Sequence, residues 1–313
     1  MAKKIYVGGM PPPHGGISVY LYRLSKIESD SLFIDTNRIN KIWFLKQFIT
    51  FGNYYIFNSS NIKIYFYTLL LKMATSNKYV IHIHGNHLTK IFGGKYWFYK
   101  YLVKLSLKFA EEIYVVNADI RNYLIKIGIN PSKISIKYAF LPPPLEDEEK
   151  ILKTYPSSLF NFIDSHRPLL IANAFKIVFH KGVDLYGLDM CIELTSKLKK
   201  NYPKIGFIFA LPDVSEKKDY QERMKKRIKE LNIEDNFYFL VGQKELWPLF
   251  KRTNLMLRPT YRDGDSVSIR EAIFFTIPTI ASDFCERPKN TILFKNRDIN
   301  DLYIKALDAI KNG

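Results

Sequence analysis

Short apolar runs alternate along the chain with longer segments whose apolar positions recur every three or four residues. The runs Lys4–Val7, Leu32–Ile34, Tyr54–Phe57, Tyr79–Ile83, Glu112–Val116 and Ile134–Tyr138 have the length and the β-branched or aromatic content of strands. Between them, Ile17–Ser25, Ile42–Thr50, Ile62–Ala74, Lys95–Ala110 and Ala118–Ile127 have helical periodicity. Strands and helices alternating at this spacing predict right-handed βαβ units and a parallel sheet. The pattern breaks at Leu141-Pro142-Pro143-Pro144 and the acidic run Glu146–Glu149, and the stretch up to His166-Arg167-Pro168 reads as a linker. It then restarts. Leu169–Ala172, Ile205–Ala210, Phe237–Leu240, Leu255–Leu257 and Thr279–Ala281 are strand-like. Leu185–Lys199, Lys217–Leu231, Lys244–Lys251, Val267–Phe275 and Ile299–Lys311 are helix-like.

The expected fold class is therefore α/β, with two Rossmann-like domains in tandem facing a cleft. Residues 1–165 form the first and 166–285 the second, and a terminal segment, 286–313, holds a helix with room to cross back to the first. Ligands of open parallel sheets bind beyond the carboxyl ends of the strands, so the cleft is the expected site.

Length agrees, since 313 residues exceed one ordinary core and suit two. Hydrophobic residues at 47% and charged residues at 25% are globular proportions, which excludes disorder as the default. No apolar run approaches the roughly 20 residues that cross a bilayer. The start, MAKKIYVGGMPPPHGG, has two lysines but no apolar segment of a signal peptide, so a cytoplasmic chain is expected. Cys191 and Cys285 lack a Cys or His partner at ligand spacing and read as reduced thiols; no metal is expected. The net charge of +17 suits an anionic partner such as nucleotide phosphate or anionic lipid, and equally fits a chain biased toward Lys, Ile and Asn. No zinc finger, RNP box or basic heptad region is present, so nucleic acid is not an expected partner.

Three segments carry candidate chemistry. In the first, the strand Leu255–Leu257 runs into Arg258-Pro259-Thr260-Tyr261-Arg262-Asp263-Gly264-Asp265-Ser266, and a helix opens at about Val267 with Asp265 or Ser266 as N-cap. Such a helix start presents unpaired amides and a positive dipole end, which suits a diphosphate. Gly264 allows close approach of the backbone. Glu271, a turn further on, can accept two hydrogen bonds from a ribose diol; an ordinary βα loop with a surface Glu has the same pattern.

This segment resembles the signature of the glycosyltransferase family 4 type, whose fold is GT-B. That signature has two acids with seven residues between them, then Ala, a small residue, Pro and a strand. Asp263 and Glu271 have that separation, Ala272 follows, and Pro278-Thr279-Ile280-Ala281-Ser282-Asp283 matches the strand. The resemblance implies that Glu271 binds ribose, that Asp263 lies at the donor sugar, and that the amides of Asp265, Ser266 and Val267 meet phosphate. Asp263 stands where Glu is usual, and Asp265-Ser266 where Phe-Gly is usual.

In the second segment, Lys176 and Lys181-Gly182 occupy places comparable to the family's Arg and Lys-Gly, which neutralise the departing diphosphate. Such a cation helps the transition state more than the ground state. The alternative is two solvated lysines. In the third, Gly8-Gly9-Met10-Pro11-Pro12-Pro13-His14-Gly15-Gly16 lies between a strand and a helix and resembles the family's N-terminal P-x-x-G-G loop. Gly15, Gly16 and His14 are candidates for donor or acceptor contact, and a tight βα turn would also use these glycines. His82 and His84 share a strand face, and His84, before Gly85, matches the family's histidine at the donor sugar.

The stretch Leu88–Lys108 has five lysines and no acid, and Lys100, Lys104 and Lys108 fall on one helical face beside Trp97, Tyr101 and Leu105. That layout suits either a helix on an anionic membrane or one packed on its own sheet. The resemblance implies a retaining transfer from a nucleoside-diphosphate sugar, UDP by family habit, to a saccharide acceptor. A polyprenyl-linked acceptor, surface polysaccharide synthesis and peripheral contact with the inner membrane face fit the basic stretch. No cofactor or metal is implied, the nucleotide-sugar being substrate. A sugar-nucleotide epimerase on the same fold and an inactive basic binding protein are the alternatives.

Overall fold

The computed structural model describes residues 3–38, 52–58, 61–85, 87–242 and 244–312, so the helix expected at Ile42–Thr50 lies outside the described residues. The chain divides into two compact units, Met1–Leu141 and Pro142–Gly313.

The first unit holds six parallel strands: β1 (Lys4–Gly8), β2 (Leu32–Asp35), β3 (Tyr54–Asn58), β4 (Lys78–Ile83), β5 (Glu112–Val115) and β6 (Ile134–Ile136). Their order across the sheet is β2-β1-β3-β4-β5-β6. Both faces are covered, and the period of two divides the strand residues between them. Ile5, Val7, Tyr55, Phe57, Tyr79, Ile81 and Ile83 join one core with helices Lys63–Ala74 and Trp97–Phe109. Tyr6, Ile56 and Val80 meet Leu21 and Leu24 of helix Gly16–Ile27 on the other.

The second unit holds β7 (Leu169–Asn173), β10 (Gly206–Leu211), β11 (Phe237–Val241), β12 (Leu255–Arg258), β13 (Thr279–Ser282) and β14 (Thr291–Phe294). Their order is β11-β10-β7-β12-β13-β14, again parallel throughout. A two-residue antiparallel hairpin, β8 (Phe179–His180) with β9 (Val183–Asp184), stands apart from the sheet.

Three expectations shift. The break between units falls after Leu141 rather than at 165, because the presumed linker is helical at Glu148–Leu152 and Ser157–Ser165. Its Tyr155, Leu159 and Ile163 bury against Leu169, Ile171, Trp247 and Met256 of the second unit. The terminal segment also belongs to the second unit: β14 pairs with β13, and helix Ile299–Asn312 buries Leu302, Ala306 and Ala309 in the core on the other face of the sheet, with Leu170, Ala172 and Phe207. The helix expected from Leu185 starts at Leu188, after Gly187 at φ 72°. A Cβ on Gly187 would lie 2.6 Å from the Pro259 carbonyl oxygen, so the glycine permits both the backbone turn and the close approach.

Strand order reverses between β1 and β3, and again between β7 and β12. The crevice for a ligand of a doubly wound sheet opens at such a switch point, beyond the strand carboxyl ends. The loops leaving β1, β7 and β12 are the three segments singled out above.

Candidate functional site

In the second unit, the loop after β7 and the loop after β12 are built against each other. The Tyr261 amide donates to the Leu185 carbonyl at 2.8 Å, and the His180 and Tyr261 rings lie 5.5 Å apart. The Arg258 guanidinium sits 5.0 Å over the Tyr186 ring. Lys181 and Gly182 form the tip of the hairpin at φ 51° and 79°, the pattern of a type I′ turn. The Lys181 side chain is exposed.

Helix Val267–Phe274 starts at Ser266 with no side chain capping it and no acid in its first turn. Of the two residues expected at the N-cap, Ser266 holds the position, and the Asp265 carboxylate is bound to Arg270 Nε at 2.6 Å. Glu271 lies four residues after Val267 and is buried, only 6% exposed. Burial, followed by the charges of Glu245 and Glu271, pushes the Tyr155 hydroxyl well above the ordinary tyrosine value.

Asp263 occupies a different environment from the one expected of a sugar-contacting acid. Its Oδ2 accepts from Arg258 Nε at 2.9 Å and from Arg287 Nη1 at 3.0 Å, and its Oδ1 accepts from the Gly264 amide at 3.0 Å. Arg287 also donates to the Thr260 hydroxyl at 2.9 Å and to Ser282 Oγ at 3.0 Å, with a side chain only 2% exposed. Burial alone would raise the Asp263 pKa, but the two guanidiniums outweigh it and hold the carboxyl below its ordinary value. Asp263 therefore pins the loop to β12 and to the Ser282 strand end. Two cations around one buried anion leave this part of the loop net positive. Arg258 and Arg287 escaped the sequence reading; the signal was Arg258 at the end of an apolar strand, since a buried Arg needs an anionic partner.

Lys176 lies just after β7, where its ammonium donates to Glu216 at 2.7 Å on the surface. The Glu216 carboxylate, first through its hydrogen bond, raises the Lys176 pKa. This lysine is engaged in the structure, whereas Lys181 has the exposed position at the hairpin tip.

In the first unit the glycine loop leaves β1. The Gly15 amide donates to Ser18 Oγ at 2.9 Å, and Gly15 is the N-cap of the helix that begins at Gly16. His14 lies in the same loop with a buried ring nitrogen. Gly8 is where a side chain is excluded: a Cβ would come within 2.5 Å of the Asn58 carbonyl oxygen on β3. Asn58, missed by the sequence reading, sets the state of His84. Its amide nitrogen donates to the Ile56 carbonyl at 3.2 Å, leaving Oδ1 as the acceptor 2.9 Å from His84 Nε2. His84 Nε2 thus carries the proton and Nδ1, buried and without a partner among the described residues, is an acceptor.

The His82 ring lies 4.0 Å from that of His84, tilted by 38°, and bonds the Lys137 carbonyl at 3.1 Å. His87 Nε2 meets Tyr65 Oη at 2.8 Å. Burial pushes His82 and His87 down to about 4 and His84 well below 6.5. The unfolded chain takes up protons on these rings below about pH 6.5. The folded chain does not until about pH 4, so stability is lost as pH falls across that window. Urea unfolding is expected to show a loss of about 2 kcal/mol from His82 alone between pH 6.5 and 4.5, with a smaller slope in His82→Gln. A midpoint unmoved between pH 7 and 5 would contradict the neutral cluster. Among the described residues no group of three or more His, Cys, Asp or Glu could hold a metal ion.

The fold matches a wide set of solved structures. HepE from Anabaena, in complex with UDP-glucose, is 14% identical with a TM-score of 0.69, covering 99% of this chain and 90% of that one. A UDP-forming α,α-trehalose-phosphate synthase from Burkholderia xenovorans, in complex with glucose-6-phosphate, is 11% identical with a TM-score of 0.72, covering 100% and 93%. Sucrose-phosphate synthase from Thermosynechococcus elongatus is 14% identical with a TM-score of 0.68, covering 99% and 90%. A search of curated proteins returned no match. Both units thus have the architecture of GT-B enzymes. Residues 163–297 match the family described as glycosyl transferases group 1, a span that takes in the hairpin, Asp263, Glu271 and Arg287. The chain thus has the GT-B fold, and within its second unit residues 163–297 are similar to the glycosyl transferases group 1 family.

Proposed function

We propose that the chain transfers a sugar, with retention, from a UDP-sugar to a hydroxyl of a saccharide acceptor carried on a polyprenyl lipid, in surface polysaccharide synthesis. The observation that carries the donor assignment is the joining of two loops at the β7/β12 switch point: the Lys181 hairpin and the uncapped start of helix Val267–Phe274. Buried Glu271 stands one turn behind them. Amides at that helix start take the diphosphate, with Lys181 adding charge as the sugar–phosphate bond breaks. Glu271 accepts from the two ribose hydroxyls. Asp263 positions the loop from its arginine pair. Lys176 joins the diphosphate only by releasing Glu216.

Calorimetry with UDP and GDP is the direct test. Micromolar binding of UDP, tighter than GDP, is expected, and no heat with either would defeat the proposal. Lys181→Ala is expected to lower kcat about fiftyfold, the loss of one hydrogen bond to a charged group, and a rate within threefold of the parent counts against the hairpin's role. Product analysis with donor alone separates transfer from epimerisation, since an epimer formed without acceptor belongs to the second reaction.

A further inference from the structure

Two neighbouring helices of the first unit present apolar and basic side chains to solvent together. Helices Lys63–Ala74 and Trp97–Phe109 pack on the same sheet face, with Ile64, Tyr65 and Leu71 of one and Val103 and Leu107 of the other in a single core. They are tied by the buried pair Thr68 Oγ1 and Ser106 Oγ at 2.6 Å, and Tyr79 Oη donates to the Ser106 carbonyl at 2.6 Å. With their inner faces fixed, the outer faces follow from the helical repeat.

On the first helix Phe66, Leu70 and Met73, spaced four and three apart, form one outward stripe, and Met73 is 84% exposed. On the second, Trp97, Phe98, Tyr101 and Phe109 lie on the arc opposite Val103 and Leu107, with Trp97 74% exposed. Tyr96 and Tyr99 extend the patch at its start. The helix packs on its sheet through Val103, Ser106 and Leu107, whereas Trp97 and Tyr101 of the stripe read from sequence face solvent. Lys95, Lys100, Lys104 and Lys108 border that arc, and the stretch from Leu88 to Ala110 contains no acid. Beyond the end of the second helix, Glu111 meets Lys72 at 4.0 Å.

We propose that this two-helix platform is a docking surface for an anionic phospholipid bilayer. Aromatic rings and Met73 would enter the headgroup–acyl boundary, while the bordering lysines meet lipid phosphates. Charge decides among occupants. A second copy meeting the platform face to face would oppose lysine to lysine. Nucleic acid would use the lysines but gives no reason for an outward Phe66-Leu70-Met73 stripe. An anionic membrane uses both components at once.

The test is vesicle co-sedimentation of the whole chain, independent of transfer activity. Vesicles of phosphatidylglycerol in phosphatidylcholine are expected to bind the protein, with a blue shift of Trp97 emission. Vesicles of phosphatidylcholine alone are expected to bind it far less, and salt to weaken the binding. Lys100→Gln/Lys104→Gln/Lys108→Gln should weaken binding about a hundredfold, at about fivefold for each lysine near an anionic surface. Trp97→Ser/Tyr101→Ser should remove the remaining salt-resistant part. Lys108, Trp97 and Tyr101 are exposed, Lys100 and Lys104 are half-buried, and none of them belongs to the core, so circular dichroism and UDP affinity should match the parent. That control separates failure here from failure of the donor assignment. Equal binding to both vesicle types, parental binding by both variants, or a self-association that Trp97→Ser/Tyr101→Ser abolishes without any vesicle binding would each overturn the proposal.

Discussion

Glu271→Ala is expected to lower kcat/KM for the UDP-sugar by about a thousandfold. The carboxylate lies buried one turn inside helix Val267–Phe274, behind the uncapped amides. Two hydrogen bonds from ribose hydroxyls to an ionised acceptor contribute about 2 kcal/mol each, and together account for about three powers of ten. Both bonds exist in the ground state, so UDP affinity measured by calorimetry should fall with kcat/KM. Glu271→Gln keeps the shape and one acceptor and should recover part of the loss. A Glu271→Ala enzyme within threefold of the parent would remove the ribose assignment.

Asp263→Ala is expected to act chiefly on stability. The substitution leaves two buried guanidiniums, Arg258 and Arg287, without their shared anion. Breaking a buried pair from one side costs about 3–5 kcal/mol. For a unit of this size that is a fall in Tm of about 10 °C. The pH dependence has a definite sign. Because the folded carboxyl titrates below its ordinary value, its contribution is complete above about pH 4 and disappears as pH falls through the lower folded value. Acid unfolding of Asp263→Asn should therefore lack that component. The double variant Asp263→Asn/Arg287→Gln should lose less than the sum of its parts, since each change removes the other's penalty. A parental Tm in Asp263→Ala would show that the triad does not hold the loop.

The parts of this molecule that were legible in sequence share a physical cause. Parallel strands covered on both faces must be apolar almost throughout, so runs such as Ile205–Ala210 and Leu255–Leu257 stood out against their periodic helices. The β12 loop was legible because Gly264, the acidic pair and a helix start fall close together in the chain. What escaped depends on residues far apart. Nothing near Arg287 announces that it reaches back 24 residues to Asp263, and Asn58 fixes the His84 tautomer across two neighbouring strands. Asp265 had two possible partners, the helix amides and Arg270, and the sequence could not rank them. The hairpin at 179–184 escaped because two-residue strands have no periodicity. Segment Ser157–Ser165 was readable, with Leu159, Phe160 and Ile163 at helical spacing, but the preceding prolines and acids suggested a linker.

On the role proposed for Lys181, its turn conformation sets stability against catalysis. A non-glycine residue at φ 51° bears a backbone strain of about 1 kcal/mol that Gly or Asn would relieve. Selection for heat resistance alone would therefore favour Gly or Asn at position 181, and hardened descendants would emerge with a quieter hairpin and slow turnover. A lysine that persists there through such an experiment would have been kept by its ammonium group, against the preference of its own main chain.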